Sequence, residues 1–322
     1  MKHLLIAGNV TGMPAPFTTD LCGYRVDRNG NLTAFPNTSD AHDGLSVELG
    51  GALFEQLGIS PDKPAPTGSG SDMEVRLVNH LRDLRPDLHI ERSRAAREFS
   101  QYAHLDVFPN FRRNFGDLRP ALDDLTTRVL AVELGPHRDR IERDLHDLAS
   151  STDTQAALVD DLAEQMPEES LLKIDISIAI PHEGELDELA IAISSKWSLR
   201  TDRAQDCVSQ GNKLVAQRRG MMPHFGVLTI EPRPAMLKIL ADGSGAVDYV
   251  YHLDLPALEA TIEAVAENKP RGWSPRQTFR RLMTQRRLRD FDHLVYEVMR
   301  VPTPDGKPFH ADDGEAVSSE PS

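Results

Sequence analysis

Two isoleucine-rich runs near the middle of the chain restrict its fold more than any other feature. Leu172, Ile174, Ile176, Ile178 and Ile180 alternate with Lys173, Asp175, Ser177 and Ala179. Leu189, Ile191, Ile193 and Ser195 alternate with Ala190, Ala192, Ser194 and Lys196. Alternation with period two marks strands, whose successive side chains point to opposite faces. Residues 181–188 (PHEGELDE) join the runs and supply turn chemistry. That connection is too short for a crossover helix, so the pair reads as an antiparallel hairpin. A turn centred at position 185.5 puts Asp175 opposite Lys196, roughly 4.5–5.5 Å apart at Cβ. Ser194 shares that face, and a one-residue slip would send the lysine to the other side.

The rest of the chain fits an α/β domain around this hairpin. Asn29-Gly30, between the runs at Tyr24 and Leu32, reads as a tight hairpin turn in an otherwise loop-rich first 65 residues. Residues 61–70 (PDKPAPTGSG) form a breaker-rich loop, with a helix beginning at Ser71 or Asp72 and burying Met73, Leu77, Val78, Leu81 and Leu84. Helical stretches are expected at 93–105 and 202–219, strands at 224–230 and 247–253, and C-terminal helices after Asp254 and at Ser274-Pro275. Residues 1–300 read as one domain, with an acidic helical insertion at about 106–170 and a disordered tail at 301–322. No apolar run approaches the ~20 residues needed to cross a bilayer. Two cysteines, Cys22 and Cys207, make no disulfide framework, so a reducing cytoplasm is expected.

A carboxylate, a lysine and a hydroxyl on one hairpin face suit metal-assisted phosphodiester hydrolysis. Asp175 can hold Mg²⁺, which prefers oxygen ligands. Lys196 can orient the attacking water and add positive charge beside the phosphate. A plain cross-strand ion pair accounts for the same residues. The chain continues as Ser198-Leu199-Arg200-Thr201-Asp202-Arg203 at the start of a helix. Arg grips guanine O6 and N7, and Asp accepts from cytosine N4, so this string can read adjacent G·C pairs. It can equally be helix capping and surface charge.

Ser194-x-Lys196-x-x-x-Arg200-x-Asp202-Arg203 resembles the signature of NgoMIV-type restriction endonucleases, which cut DNA at sites with a CCGG core. Gln101-Tyr102-Ala103-His104-Leu105, Pro223-His224, Glu231-Pro232 and Tyr251-His252 extend the resemblance. It implies a restriction-endonuclease-like PD-(D/E)XK core, a mixed β-sheet flanked by helices. It also implies a type II, Mg²⁺-dependent nuclease cutting double-stranded DNA at a palindrome, leaving 5′-phosphate and 3′-hydroxyl ends. A homodimer or homotetramer is implied with it. By the same resemblance Asp175 and Glu74 bind metal, Lys196 serves the attacking water and Ser194 supports the site. Arg200, Asp202 and Arg203 read the core bases.

The chain departs from the family in places. Gln210 stands fourteen residues after Lys196, where the family has a glutamate for a second metal. The Asp175–Lys196 separation is short, and the preceding acidic insertion is correspondingly long. Met236 fills the place of an arginine that reads the outer base pair, with Arg233 nearby as a substitute. Gln210 opens one alternative, a sequence-specific DNA-binding protein with weakened catalysis; a third reading is another PD-(D/E)XK nuclease, against which the intact Arg200-x-Asp202-Arg203 argues.

A formal net charge of −14 argues at first against a nucleic-acid partner. Residues 117–170, with 14 acids and 5 arginines, carry −9 of it. Residues 196–219 hold six bases against two acids, and 271–290 hold seven arginines against one aspartate. Affinity for phosphates follows local basic groups rather than the whole-chain sum.

Overall fold

A computed structural model describes residues 12–107, 118–165, 172–242 and 245–310. Its centre is a six-stranded mixed sheet in the order β3-β4-β5-β6-β7-β8. These strands are β3 (His89–Ala95), β4 (Lys173–Ile180), β5 (Glu188–Lys196), β6 (His224–Thr229), β7 (Tyr249–His252) and β8 (Leu288–Asp290). The β3-β4-β5 pairs are antiparallel, and β5 through β8 run parallel. A separate hairpin pairs β1 (Tyr24–Val26) with β2 (Leu32–Pro36), turning at Gly30 with φ +84°.

Two cores lie against the sheet. One joins Ile176, Ile178, Ile191 and Ile193 to Met73, Leu77 and Leu81 of helix α3 (Ser69–Leu84), after α1 (Thr18–Leu21) and α2 (Gly44–Gln56). The other joins Ala192, Phe225 and Val250 to a further set of helices. After α4 (Arg119–Leu130) and α5 (Arg138–Gln165), these are α6 (Thr201–Gln217), α7 (Pro234–Ala241), α8 (Leu255–Glu267) and α9 (Ser274–Thr284). Helix α10 (Phe291–Met299) returns to the first core through Phe291, Leu294 and Val298. The α/β class with a mixed sheet flanked by helices is therefore as expected.

Several local readings are corrected. Helix α3 starts two residues early, because Gly68 adopts φ +81° at its N-cap, a conformation suited to glycine. Residues 89–95 form an edge strand where helix was expected from 93 onward, and only then does the chain coil into short 3₁₀ turns to Asp106. The first 65 residues contain α2, capped by the Asp43 side chain.

Within the acidic stretch, the described residues form the helices α4 and α5. Among its described residues, α4 and α5 pack on one another and no side chain is fully buried. The tail reading fails for 301–310. Val301 is buried, the Val298 and Val301 carbonyls accept from Arg85 Nη1 at 2.8 Å, and Phe309 lies under the Arg85 guanidinium. Residues 311–322 lie outside the described residues.

Candidate active site

The β4–β5 hairpin positions the central group. Its register pairs Ile176 with Ile193 and Ile178 with Ile191, then shifts by one residue at a bulge to pair Ala179 with Leu189. Continued outward from Ile176, this register sets Asp175 opposite Ser194, two residues from the expected partner Lys196. A shift of two keeps the face, so Asp175, Ser194 and Lys196 still converge. Asp175 Oδ2 accepts from Lys196 Nζ at 2.6 Å, from Ser194 Oγ at 3.0 Å and from the Ser195 N–H at 2.9 Å. Both Asp175 and Lys196 are about one-quarter exposed, so the pair opens to solvent.

Three donors on one oxygen concentrate positive charge at this carboxylate, with the ammonium in the place a cation would take. Magnesium usually keeps several waters and is bound by one or two carboxylates plus substrate phosphates. Asp175 fits that donor chemistry. Among the described residues no group of three or more His, Cys, Asp or Glu side chains is gathered to enclose a metal.

The other expected ligands sit elsewhere. Glu74 Oε2 accepts from Arg92 Nε at 3.0 Å and Nη2 at 2.7 Å. Arg92 pairs with Ile176 in the sheet, so it stands on the α3 face, whereas Asp175 points to the other. The Gln210 side-chain amide donates to the backbone carbonyl of Lys173, which ties α6 to the start of β4. Cys207, buried beneath, lies 3.5 Å from Ser194 Oγ, and burial pushes its thiol above the ordinary range. Trp197 and Phe225 are core residues, as expected.

The segment after Lys196 opens α6. Arg200 holds the N-cap position, and Asp202 and Arg203 lie exposed in the first turn. Beneath them a buried ion pair fixes the chain. Glu231 is fully buried and accepts from the Leu199 N–H at 2.7 Å. Arg233 Nε meets Glu231 Oε1 at 2.6 Å, its Nη2 meets the Leu199 carbonyl at 2.5 Å, and its Nη1 meets Asp43 Oδ2 at 3.0 Å. Arg233 is thus a buried strut and not a substitute base reader. Its guanidinium is held charged: burial works against the charge, and Glu231 and Asp43 outweigh it.

Sequence reasoning missed Asp43 and the bracing role of Glu231. A usable signal for Asp43 was present: Asp-Gly before Leu45, Leu49, Leu53 and Phe54 has the capping residue and spacing of a helix start.

Residues 169–299 match the family model described as the NgoMIV restriction enzyme. A stretch of 82 residues is 42% identical to the type II restriction enzyme NgoMIV of Neisseria gonorrhoeae, covering 26% of this chain and 29% of that protein. The match thus spans less than a third of the relative's length. The matched segment contains Asp175, Ser194, Lys196, Gln210 and the Arg200–Arg203 string, and leaves Glu74 outside. The six-stranded mixed sheet with flanking helices is the restriction-endonuclease-like fold. Among the described residues no helix is long and apolar enough to cross a membrane.

Proposed function

We propose that this protein is a cytoplasmic type II restriction endonuclease. It would hydrolyse both strands of duplex DNA at a palindromic site with a CCGG core, using Mg²⁺. The observation that carries this reading is the Asp175–Ser194–Lys196 cluster set four residues before an exposed Arg200-x-Asp202-Arg203 helix start.

Arg200 and Arg203 donate to guanine O6 and N7, and Asp202 accepts from cytosine N4. The Glu231–Arg233 strut holds Leu199, so these side chains present from a fixed turn. Asp175 would hold Mg²⁺, which when bound would supply an acidified water and positive charge beside the phosphate. Lys196 leaves Asp175 to orient the attacking water and to face the scissile phosphate. Ser194 keeps its hydrogen bond to Asp175 and fixes the carboxylate. Glu74, paired with Arg92 on the α3 face, does not share an ion with Asp175 in this arrangement. In-line attack leaves 5′-phosphate and 3′-hydroxyl ends. A palindrome calls for two-fold protein symmetry, so a homodimer or homotetramer is the working form.

Purified protein incubated with plasmid and Mg²⁺, followed by end mapping, tests this. Cuts confined to CCGG sites support it, and smearing or cutting elsewhere overturns the specificity. Lys196→Ala should abolish cleavage and keep binding; an active variant removes Lys196 from the mechanism. The neutral Gln210 favours a second reading, a CCGG-binding protein with weakened catalysis, which predicts a footprint at CCGG without cuts.

A further inference from the structure

Beside the Asp175 cluster, on the α6 side, lies a cavity of about 420 Å³. Lys173, Lys196 and Lys213 line it with Ser209, Gln210 and a single carboxylate, Asp206. With Lys196 offset by Asp175, two further ammonium groups against one carboxylate leave the cavity net cationic. Lys196 is paired with Asp175, but among the described residues neither Lys173 nor Lys213 has an ion-pair partner. Both are exposed, so their charge is free for a ligand.

Helix geometry explains the gathering. Asp206, Gln210 and Lys213 are spaced four and three residues apart, which sets them on one face of α6. The amide of Gln210 then draws in the start of β4, where Lys173 lies. The side chain that replaces a metal-binding glutamate is thus a brace, and the charge beside it is fixed ammonium.

We propose that this cavity seats a second backbone phosphate of the bound strand, with Lys213 and Lys173 as its contacts. This rests on the endonuclease reading and names a contact that the Asp175 cluster and the Arg200–Arg203 string do not supply. The ligand is a phosphodiester. The cavity has the volume for one, donors from lysine and Ser209, and a net positive charge that a neutral or cationic ligand would not need. Fixed ammonium there also supplies, without a second metal, the positive charge that Gln210 cannot recruit.

The test is equilibrium binding of the full chain to a CCGG duplex and to a random duplex, in EDTA so that no hydrolysis intervenes, across a salt series. Each phosphate contact contributes about 0.9 to the slope of log K against log salt. Lys213→Gln should flatten the slope on both duplexes, Lys173→Gln likewise, and the double variant should flatten it by about one contact in all, because both lysines face one phosphate. Lys213→Arg should keep the wild-type slope. Methylphosphonate substitution, which removes one phosphate charge at a time, should reveal a single position at which wild type and Lys213→Gln bind equally. Unchanged slopes in Lys213→Gln, or no such position, overturn the proposal. A slope change on duplexes that wild type binds without sequence preference keeps the phosphate seat and sinks the site-specific reading. Absence of all DNA binding sinks both.

Discussion

The Glu231–Arg233 pair makes a quantitative prediction about how the recognition turn is held. Arg233→Met keeps much of the side-chain length and removes the charge. Glu231 then loses two of its four donors, Nε at 2.6 Å and Nη2 at 3.2 Å, and keeps the Arg233 and Leu199 N–H groups. A fully buried carboxylate stripped of its counter-charge costs about 3–5 kcal/mol. Removing both charges, in Glu231→Gln with Arg233→Met, leaves no lone ion and should restore most of that loss. Neither variant keeps the Nη2 bond to the Leu199 carbonyl, so both should discriminate poorly between DNA sites. The pH dependence has a definite sign. Burial already pushes the Glu231 carboxyl up against the pull of Arg233, and removing Arg233 pushes it further. A carboxyl raised in the fold is protonated at no penalty below its ordinary value near ~4.3. The penalty appears as pH rises through the folded value. Arg233→Met should therefore sit closer to wild type at pH 5 than at pH 8. Urea denaturation of the four proteins at both pH values completes a double-mutant cycle. Equal destabilisation of single and double variants, or a pH-independent deficit, would refute the reasoning.

Three further outcomes follow from other contacts. Burial pushes Asp290 up to about 6, with Asp292 and Asp254 adding to it. Wild type should lose roughly 3 kcal/mol as pH rises from ~4 through ~6, and Asp290→Asn should flatten that fall in denaturation midpoints; an unchanged profile counts against it. Gly211→Ala would place a Cβ 2.7 Å from Phe225 and 2.9 Å from the Ala246 carbonyl. Such overpacking costs about 1–3 kcal/mol, more than the gain in helix propensity, so the thermal midpoint should drop; a rise would show that α6 has room. Arg203→Gln should relax preference at one base pair by about 1–3 kcal/mol, read by competition among duplexes with single changes. Undiminished discrimination at every position would remove Arg203 from base reading.

The hairpin and its chemistry were legible because alternation of isoleucine with small or polar residues fixes both element type and face. Its register was not, because the turn centres at Gly184, where Ile180 pairs with Glu188, and a bulge at Ala190 adds a further one-residue shift, neither of which a single strand's pattern encodes. Strands β3 and β8 were missed for a related reason. Both lie at sheet edges, and HIERSRA and LRD hold too few apolar residues for a period to emerge. Arg233 looked like a free base reader because an arginine two residues after a glutamate reads equally well as exposed or buried. Only tertiary contact with Leu199 and Asp43 decides it. Glu74 is the converse: nothing in its own helix distinguishes it, and its partner Arg92 comes from the strand that was not foreseen.

The bulge in β5 has a consequence for how such a hairpin can vary. Turn residues 181–187 can lengthen or shorten at the tip, because the ladder below is pinned by isoleucine pairs. Between the bulge and Ser194 the arithmetic is one of parity. Losing one residue there would exchange inward for outward, bringing Ser195 opposite Asp175 and turning Lys196 to the other face, while losing two would bring Lys196 itself opposite Asp175. Descent of this hairpin should accordingly tolerate single-residue insertions and deletions beyond Leu189 toward the tip, and reject them on the side that leads to the lysine.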